Sequence, residues 1–406
     1  PLGSGWRKRN GGRLARMKKI LFVCNNLDHG GISRSLVSLL REIHRDYAVD
    51  LLLFHPWGPY RKDVPEDVRL LPSEGLLPLL GMTKAQARQQ SKRLALLRAF
   101  FSLFSRIFGS SLPRRWIFSR VPDLAGYDAA VAFTQALGGR NFAVGCNSFV
   151  IQKVQAGRKI SFVHWDFEHY RGNTRANRRL YRKFDRVACV SRGCRTAFLR
   201  VMPELEARTK IVYNCTDYVA IRRMGQEPVE VFSPDCVNLL SVSRITQEKA
   251  YPRAVSVMKR MMPDYPVLRW YVVGDGPELP ELERSVQEAG LSDRIILLGA
   301  QDNPYCYMQR ADALFLPSLY EAAPVVFDEA KALGLPVLTT ETTSSAKLVG
   351  VTGCGLVCEN SERGIEEALR KVLEEPALLG QFRDKIRQQS FDNQLPREQW
   401  ERLIRG

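Results

Sequence analysis

Short apolar runs alternating with stretches of helical periodicity fill the second half of this chain and leave little choice of fold. Asn238–Ser243, Leu268–Val273, Ile295–Leu298, Ala313–Leu316 and Pro336–Thr339 read as strands. Helices are predicted between them at about 252–263, 278–290, 304–311 and 324–333. Strands separated by helices cannot pair as hairpins, so the pattern predicts a parallel, doubly wound α/β sheet. The first half repeats it less regularly, with strands predicted at 19–24, 49–54, 128–133, 159–164 and 186–190.

At 406 residues the chain fits two α/β domains of ordinary size. The segment 224–235, with two prolines and a glycine, is the expected linker. The expected arrangement is therefore two Rossmann-like domains, 17–223 and 236–390, facing a central cleft with ligands at the carboxyl ends of the strands. Residues 391–406 read as a last amphipathic helix. Pro1-Leu-Gly-Ser4 resembles the remnant of a protease-cleavage site, and Met17, just before the first strand, is the expected natural start. No secretory leader is recognisable, and nine scattered cysteines without metal-site spacing read as free thiols of a reduced, cytoplasmic protein.

Chemistry-bearing residues gather where strands end. Glu321 and Glu329, eight residues apart, bracket a turn and a helix expected to begin at Pro324 and run to Gly334. A helix start offers free N–H groups and a positive dipole end to an anion. Two carboxylates beside it are what a nucleotide-sugar pocket needs, although the pair by itself also fits a solvated helix face. Arg244 and Lys249 follow the 238–243 strand and could clamp a diphosphate; they also fit two exposed loop cations. Gly274-Asp-Gly276 ends the next strand, either as a tight turn or as a close approach to a ligand. Gly30-Gly31 precedes the first long helix, and His164 ends the 159–164 strand, where a structural hydrogen-bonder is the commoner role.

Leu316-Pro-Ser-Leu-Tyr-Glu321 through Glu329 resembles the Glu-x7-Glu donor motif of retaining glycosyltransferases with the GT-B fold, the large family four (glycosyltransferases group 1) of bacterial cell-surface polysaccharide synthesis. Ala322 and Ala250 stand where that family usually has glycine. The resemblance implies transfer of a sugar from a nucleoside diphosphate sugar, the co-substrate, to a hydroxyl of a lipid-linked or cell-surface saccharide. It implies donor-site roles for Gly30, Gly31, Gly274, Arg244, Lys249, Glu321, Ala322, Ala323, Pro324 and Glu329. Glu321, His164, Arg244 and Lys249 would be catalytic, Glu329 would hold the ribose, and the C-terminal helix would cross back onto the first domain. Ser191 and Asn214 resemble scaffold and interdomain landmarks. No Asp-x-Asp motif accompanies these residues, Asp166-Phe-Glu168 being the nearest imitation, so neither a metal nor another cofactor is expected.

The charge is uneven. Residues 1–235 carry 40 Lys/Arg against 19 Asp/Glu, and residues 236–406 carry 20 against 24. An anionic partner is expected for the first half. Within it, the insert 84–120 contains Leu94–Phe108, too short and too charged to span a bilayer. Helical spacing there aligns Leu97, Phe100, Phe101, Phe104 and Phe108, so a basic amphipathic helix resting on anionic lipid is expected, giving a peripheral protein on the cytoplasmic membrane face. Packing on its own domain is the other reading. A second run, Arg171 through Arg186, fits either an acidic acceptor or a solvated face. No nucleic-acid module accompanies these charges, and no nucleic-acid partner is expected. The alternatives to a transferase are a sugar-nucleotide epimerase with the same pocket and a catalytically inactive membrane- or polymer-binding protein.

Overall fold

The computed structural model describes residues 7–10, 13–167, 169 and 172–405; Pro1–Ser4, Glu168 and Arg171, singled out above, lie outside that set. The chain forms two compact units, one of residues up to Cys215 together with Asn393 onward, the other Thr216–Asp392.

The first unit is built on seven parallel strands: β1 (Lys19–Cys24), β2 (Ala48–Leu53), β3 (Arg69–Leu71), β4 (Ala129–Ala132), β5 (Lys159–Val163), β6 (Arg186–Cys189) and β7 (Thr209–Ile211). They lie in the order β7-β6-β5-β4-β1-β2-β3. Ile20 to Cys24 are all buried, as a strand covered on both faces requires. The C-terminal helix Gln394–Arg405 belongs to this unit. Its Trp400 is fully buried and stacks on Phe22 at 5.5 Å, while Arg158 donates to the carbonyls of Leu403 and Ile404.

The second unit holds six parallel strands: β8 (Val237–Val242), β9 (Leu268–Val273), β10 (Ile295–Gly299), β11 (Ala313–Leu316), β12 (Val337–Thr340) and β13 (Gly355–Cys358), ordered β10-β9-β8-β11-β12-β13. Alternate side chains feed two cores. Trp270 and Val272 of β9 point to one, with helices Tyr251–Met261 and Glu362–Glu374; Tyr271 and Val273 point to the other, with Tyr305–Arg310 and Val325–Ala332. Both sheets thus follow the doubly wound order of Rossmann-like domains.

The first unit ends at Cys215, eight residues short of the boundary read from linker composition. Helix Tyr218–Gly225 belongs to the second unit because Ile221 is buried in its core and Arg222 donates to the Ala332 carbonyl at 3.2 Å. A polar, proline-bearing linker marks where chain composition changes, whereas packing of one amphipathic turn decides where a domain closes.

Candidate active site

In the second unit the order of strands reverses between β8 and β11, opening a crevice at their carboxyl ends. The segment after β8 carries Arg244 and Lys249, and the segment after β11 carries Glu321. The Lys249 ammonium forms an ion pair with a carboxylate oxygen of Glu321, and Ser318 Oγ donates to the same oxygen at 2.8 Å. Both charged side chains are largely buried. Burial alone would lower the Lys249 pKa; the Glu321 charge and hydrogen bond outweigh it and raise the pKa above the ordinary lysine value. Lys249 is therefore a fixed cation. Arg244 is exposed, and its guanidinium has no hydrogen-bond or ion-pair partner among the described residues.

The turn bearing Glu321 is clamped from several sides. Arg253 donates to the Pro317 carbonyl at 2.8 and 3.1 Å and to the Ser318 carbonyl at 3.2 Å, and Asn360 Nδ2 donates to the Leu319 carbonyl at 3.0 Å. Leu319 N–H bonds the Glu248 carbonyl at 2.8 Å, tying this turn to the Lys249 segment. Ser344 Oγ donates to the carbonyl of Ala322, which is buried; Ala323 is half-buried.

Pro324 precedes the helix and does not open it: its ψ of 116° is extended, and the helix runs Val325–Ala332. Gly334, with φ 71°, lies beyond its end, so the span expected from 324 to 334 is shortened at both ends. Proline's fixed φ suits either position, and its missing N–H leaves no local signal separating them. Pro324, at the N-cap position, supplies no side-chain cap. Glu329, four residues into the helix, is buried and accepts from the Tyr305 hydroxyl at 3.0 Å.

Gly274 lies at φ 151°, and a Cβ there would meet the Ser243 carbonyl oxygen at 1.9 Å. At Gly276 a Cβ would meet the Ile245 carbonyl oxygen at 2.0 Å. Both glycines let the β9 turn press against the backbone that presents Arg244. The tight-turn reading accounts for them without a ligand.

The remaining predicted residues lie in the first unit. Gly30 and Gly31 are exposed at the start of helix Gly31–Ile43, which has no side-chain cap and no acidic residue in its first turn. His164 is buried at the end of β5, beside Phe133 at 4.7 Å, and its backbone N–H donates to Gln135 Oε1 at 2.8 Å. Desolvation lowers its imidazole pKa to about 3, opposed by a hydrogen bond with the Phe133 backbone. Its Nε2 is buried without a hydrogen-bond partner among the described residues. His164 is therefore neutral, with its proton on Nδ1 and an acceptor lone pair on Nε2. Ser191 caps helix Arg192–Val201 by accepting from Cys194 N–H, and Asn214 accepts from Ser35 Oγ at 2.7 Å. Asp166 accepts from His169 N–H at 3.0 Å.

Ser318, Arg253, Tyr305 and Gln135 were missed by sequence reasoning. Ser318 carried a signal, standing three residues before Glu321. The others act from 24 to 68 residues away in sequence or through backbone contacts, and nothing local marks them.

Comparison with known proteins bears on the family and the fold. Residues 229–390 match the family model Glycosyl transferases group 1 and are a domain of that family. An N-acetylgalactosamine-N,N'-diacetylbacillosaminyl-diphospho-undecaprenol 4-alpha-N-acetylgalactosaminyltransferase of Campylobacter jejuni is 27% identical over 217 residues, 52% of this chain and 58% of the relative. A lipopolysaccharide core biosynthesis glycosyltransferase of Rhizobium meliloti is 26% identical over 145 residues, 36% of this chain and 41% of the relative. An uncharacterized glycosyltransferase of Methanocaldococcus jannaschii is 28% identical over 142 residues, 34% of this chain and 35% of the relative. The chain thus spans between about a third and three fifths of the length of these curated relatives. Among solved structures, Anabaena HepE in complex with UDP and glucose superposes with a TM-score of 0.68 at 19% identity, covering 96% of this chain and all of that one. WaaG, a glycosyltransferase involved in lipopolysaccharide biosynthesis, superposes with a TM-score of 0.59 at 16% identity, covering 95% and 100%. The fold is that of GT-B glycosyltransferases, and the resemblance read from the motifs is borne out.

Proposed function

We propose that the protein is a retaining, metal-independent glycosyltransferase that moves a sugar from a nucleoside diphosphate sugar to a hydroxyl of a lipid-linked or cell-surface saccharide. The observation that carries this reading is the Lys249–Glu321 ion pair at the β8/β11 switch point, with the exposed Arg244, which has no side-chain partner among the described residues, on the segment after β8 and helix Val325–Ala332 following Glu321. Arg244 and Lys249 hold the diphosphate and offset the negative charge that develops as the glycosidic bond to it breaks. Their fixed charge does the work a divalent cation does elsewhere. Glu321 binds donor-sugar hydroxyls, and Glu329 accepts from the ribose. His164, buried and neutral, transfers no proton. Retention proceeds by front-side attack of the acceptor hydroxyl, with its proton passing to the departing diphosphate.

The acceptor class is supported by the Campylobacter and Rhizobium relatives, whose names describe saccharide assembly on an undecaprenyl diphosphate carrier and on lipopolysaccharide core. UDP is the first nucleotide to try, since HepE binds it. The protein works peripherally, at the cytoplasmic face of an anionic membrane. The test is incubation with UDP-sugars and lipid-linked acceptors in EDTA, with the anomeric configuration of the product read by NMR. An α-linked product from an α-linked donor is expected. An inverted product, or turnover only with added metal, overturns the mechanism, and a new sugar nucleotide formed from donor alone identifies an epimerase.

A further inference from the structure

Helix Lys92–Phe108 turns different faces inward and outward from those its spacing predicted. Phe101, in the expected apolar stripe, is buried and stacks on Phe142 at 5.4 Å; Arg98, expected off the stripe, is also buried and donates to the Met82 carbonyl at 3.0 Å. Ser105 completes this inner face. At 3.6 residues per turn, Leu96, Phe100, Leu103 and Ile107 fall directly opposite. They are 71%, 60%, 60% and 59% exposed. Most of the helix's large apolar side chains thus face solvent while an arginine and a serine face the domain, an arrangement that a helix packed only on its own domain does not need.

We infer that this outward face seats the protein on an anionic lipid surface, an inference that rests on the peripheral-membrane reading above and locates its contact. Charge selects lipid over a second copy of the chain. Residues 84–120 contain nine Lys/Arg and no Asp or Glu. Arg98 and Arg114 are buried against backbone carbonyls, while Lys84, Arg88, Lys92, Arg93, Arg106, Arg115 and Arg120 are exposed. Two such faces repel one another, and an anionic bilayer attracts each of them. Trp116, exposed on the following helix, packs on Phe101 at 5.6 Å and carries the Arg120 guanidinium over its ring at 3.6 Å, an apolar body with a cationic tip suited to the headgroup layer. Leu96 to Ile107 span about 16 Å, roughly half a bilayer's apolar thickness. No helix among the described residues is long and apolar enough to cross a membrane. The helix therefore lies in the interface plane, already folded and held by Arg98 and Phe101.

The test is co-sedimentation of the full chain with vesicles of equal parts phosphatidylcholine and phosphatidylglycerol, and with phosphatidylcholine alone. The wild type is expected on the mixed vesicles, at least about tenfold weaker on the neutral ones, and weakened by salt. Combined Leu96→Ser, Phe100→Ser and Leu103→Ser lowers binding at least about tenfold with unchanged melting temperature, because the three side chains are exposed. Lys92→Gln with Arg106→Gln lowers it on mixed vesicles only. If the triple variant binds like the wild type, the assignment of this face is wrong while membrane association stands. If the wild type binds neither vesicle, both fail and the transferase reading is untouched. A wild-type dimer by light scattering that the triple variant dissolves, without vesicle binding, makes the face an interface between copies.

Discussion

Glu321 and Lys249 are worth more as a pair than as separate ligands. Glu321→Gln leaves a mostly buried ammonium without its counter-charge, which costs about 3 kcal/mol. Adding Lys249→Met is expected to restore most of that stability in urea unfolding and none of the activity. If the double variant is no more stable than the single, the pair is not the local determinant of stability. At His164 the sign follows from its lowered pKa. The unfolded chain takes up a proton near the ordinary imidazole value of 6.5, the folded chain only near about 3. Stability supplied by this residue is full above 6.5 and falls by about 1.4 kcal/mol per pH unit below it. Wild type is expected to lose roughly 2 kcal/mol more than His164→Gln on going from about pH 6.5 to pH 5 in denaturant titrations. Equal losses would contradict the buried, neutral assignment. Ala250 adopts a left-handed conformation, φ 50° and ψ 38°, between the Lys249 turn and helix Tyr251–Met261. Ala250→Gly is expected to raise stability by up to about 1 kcal/mol, measured by thermal unfolding.

At the scale of elements, the turns after β8 and β9 form one unit because Gly274 and Gly276 leave no gap between them. Gly276→Ala forces the Ile245 backbone to move, so donor KM is expected to rise at least about tenfold through displacement of Arg244 and Lys249. Unchanged KM in initial-rate kinetics would show that the two turns are independent. This scale also shows how much the sequence reveals. The strands after residue 237 through Pro336–Thr339 and those at 19–24, 159–164 and 186–190 were legible as apolar runs between turns. Arg69–Leu71, Thr209–Ile211 and Gly355–Cys358 were not, being three or four residues long, near the sheet edges and only partly apolar. Arg244, Lys249 and Glu321 were legible because strand ends and spacing mark them. The faces of helix Lys92–Phe108 were not, because Arg98 and Ser105 turn inward with Phe101 while larger apolar side chains turn outward, the reverse of what an apolar stripe predicts.

At the scale of the whole chain, the tail completes the first unit. The chain leaves the first unit at Cys215, builds the second, and returns at Asn393 to complete the first with Trp400. Trp400→Ala is expected to lower the stability of the first unit by about 3–5 kcal/mol, while the thermal shift produced by nucleotide in the second persists. Loss of both together in a domain-resolved unfolding experiment would show that the units do not fold separately.

The central claim is that Arg244 and Lys249 hold a nucleoside diphosphate without metal. Calorimetric titration with UDP, GDP, ADP and dTDP in EDTA tests it most directly, on the wild type and on Arg244→Ala and Lys249→Ala. One nucleotide is expected to bind the wild type, and each variant to bind it at least about tenfold more weakly, as loss of a charge-assisted contact requires. Equal affinity in wild type and variants, or binding that appears only when a divalent cation is restored, would contradict it.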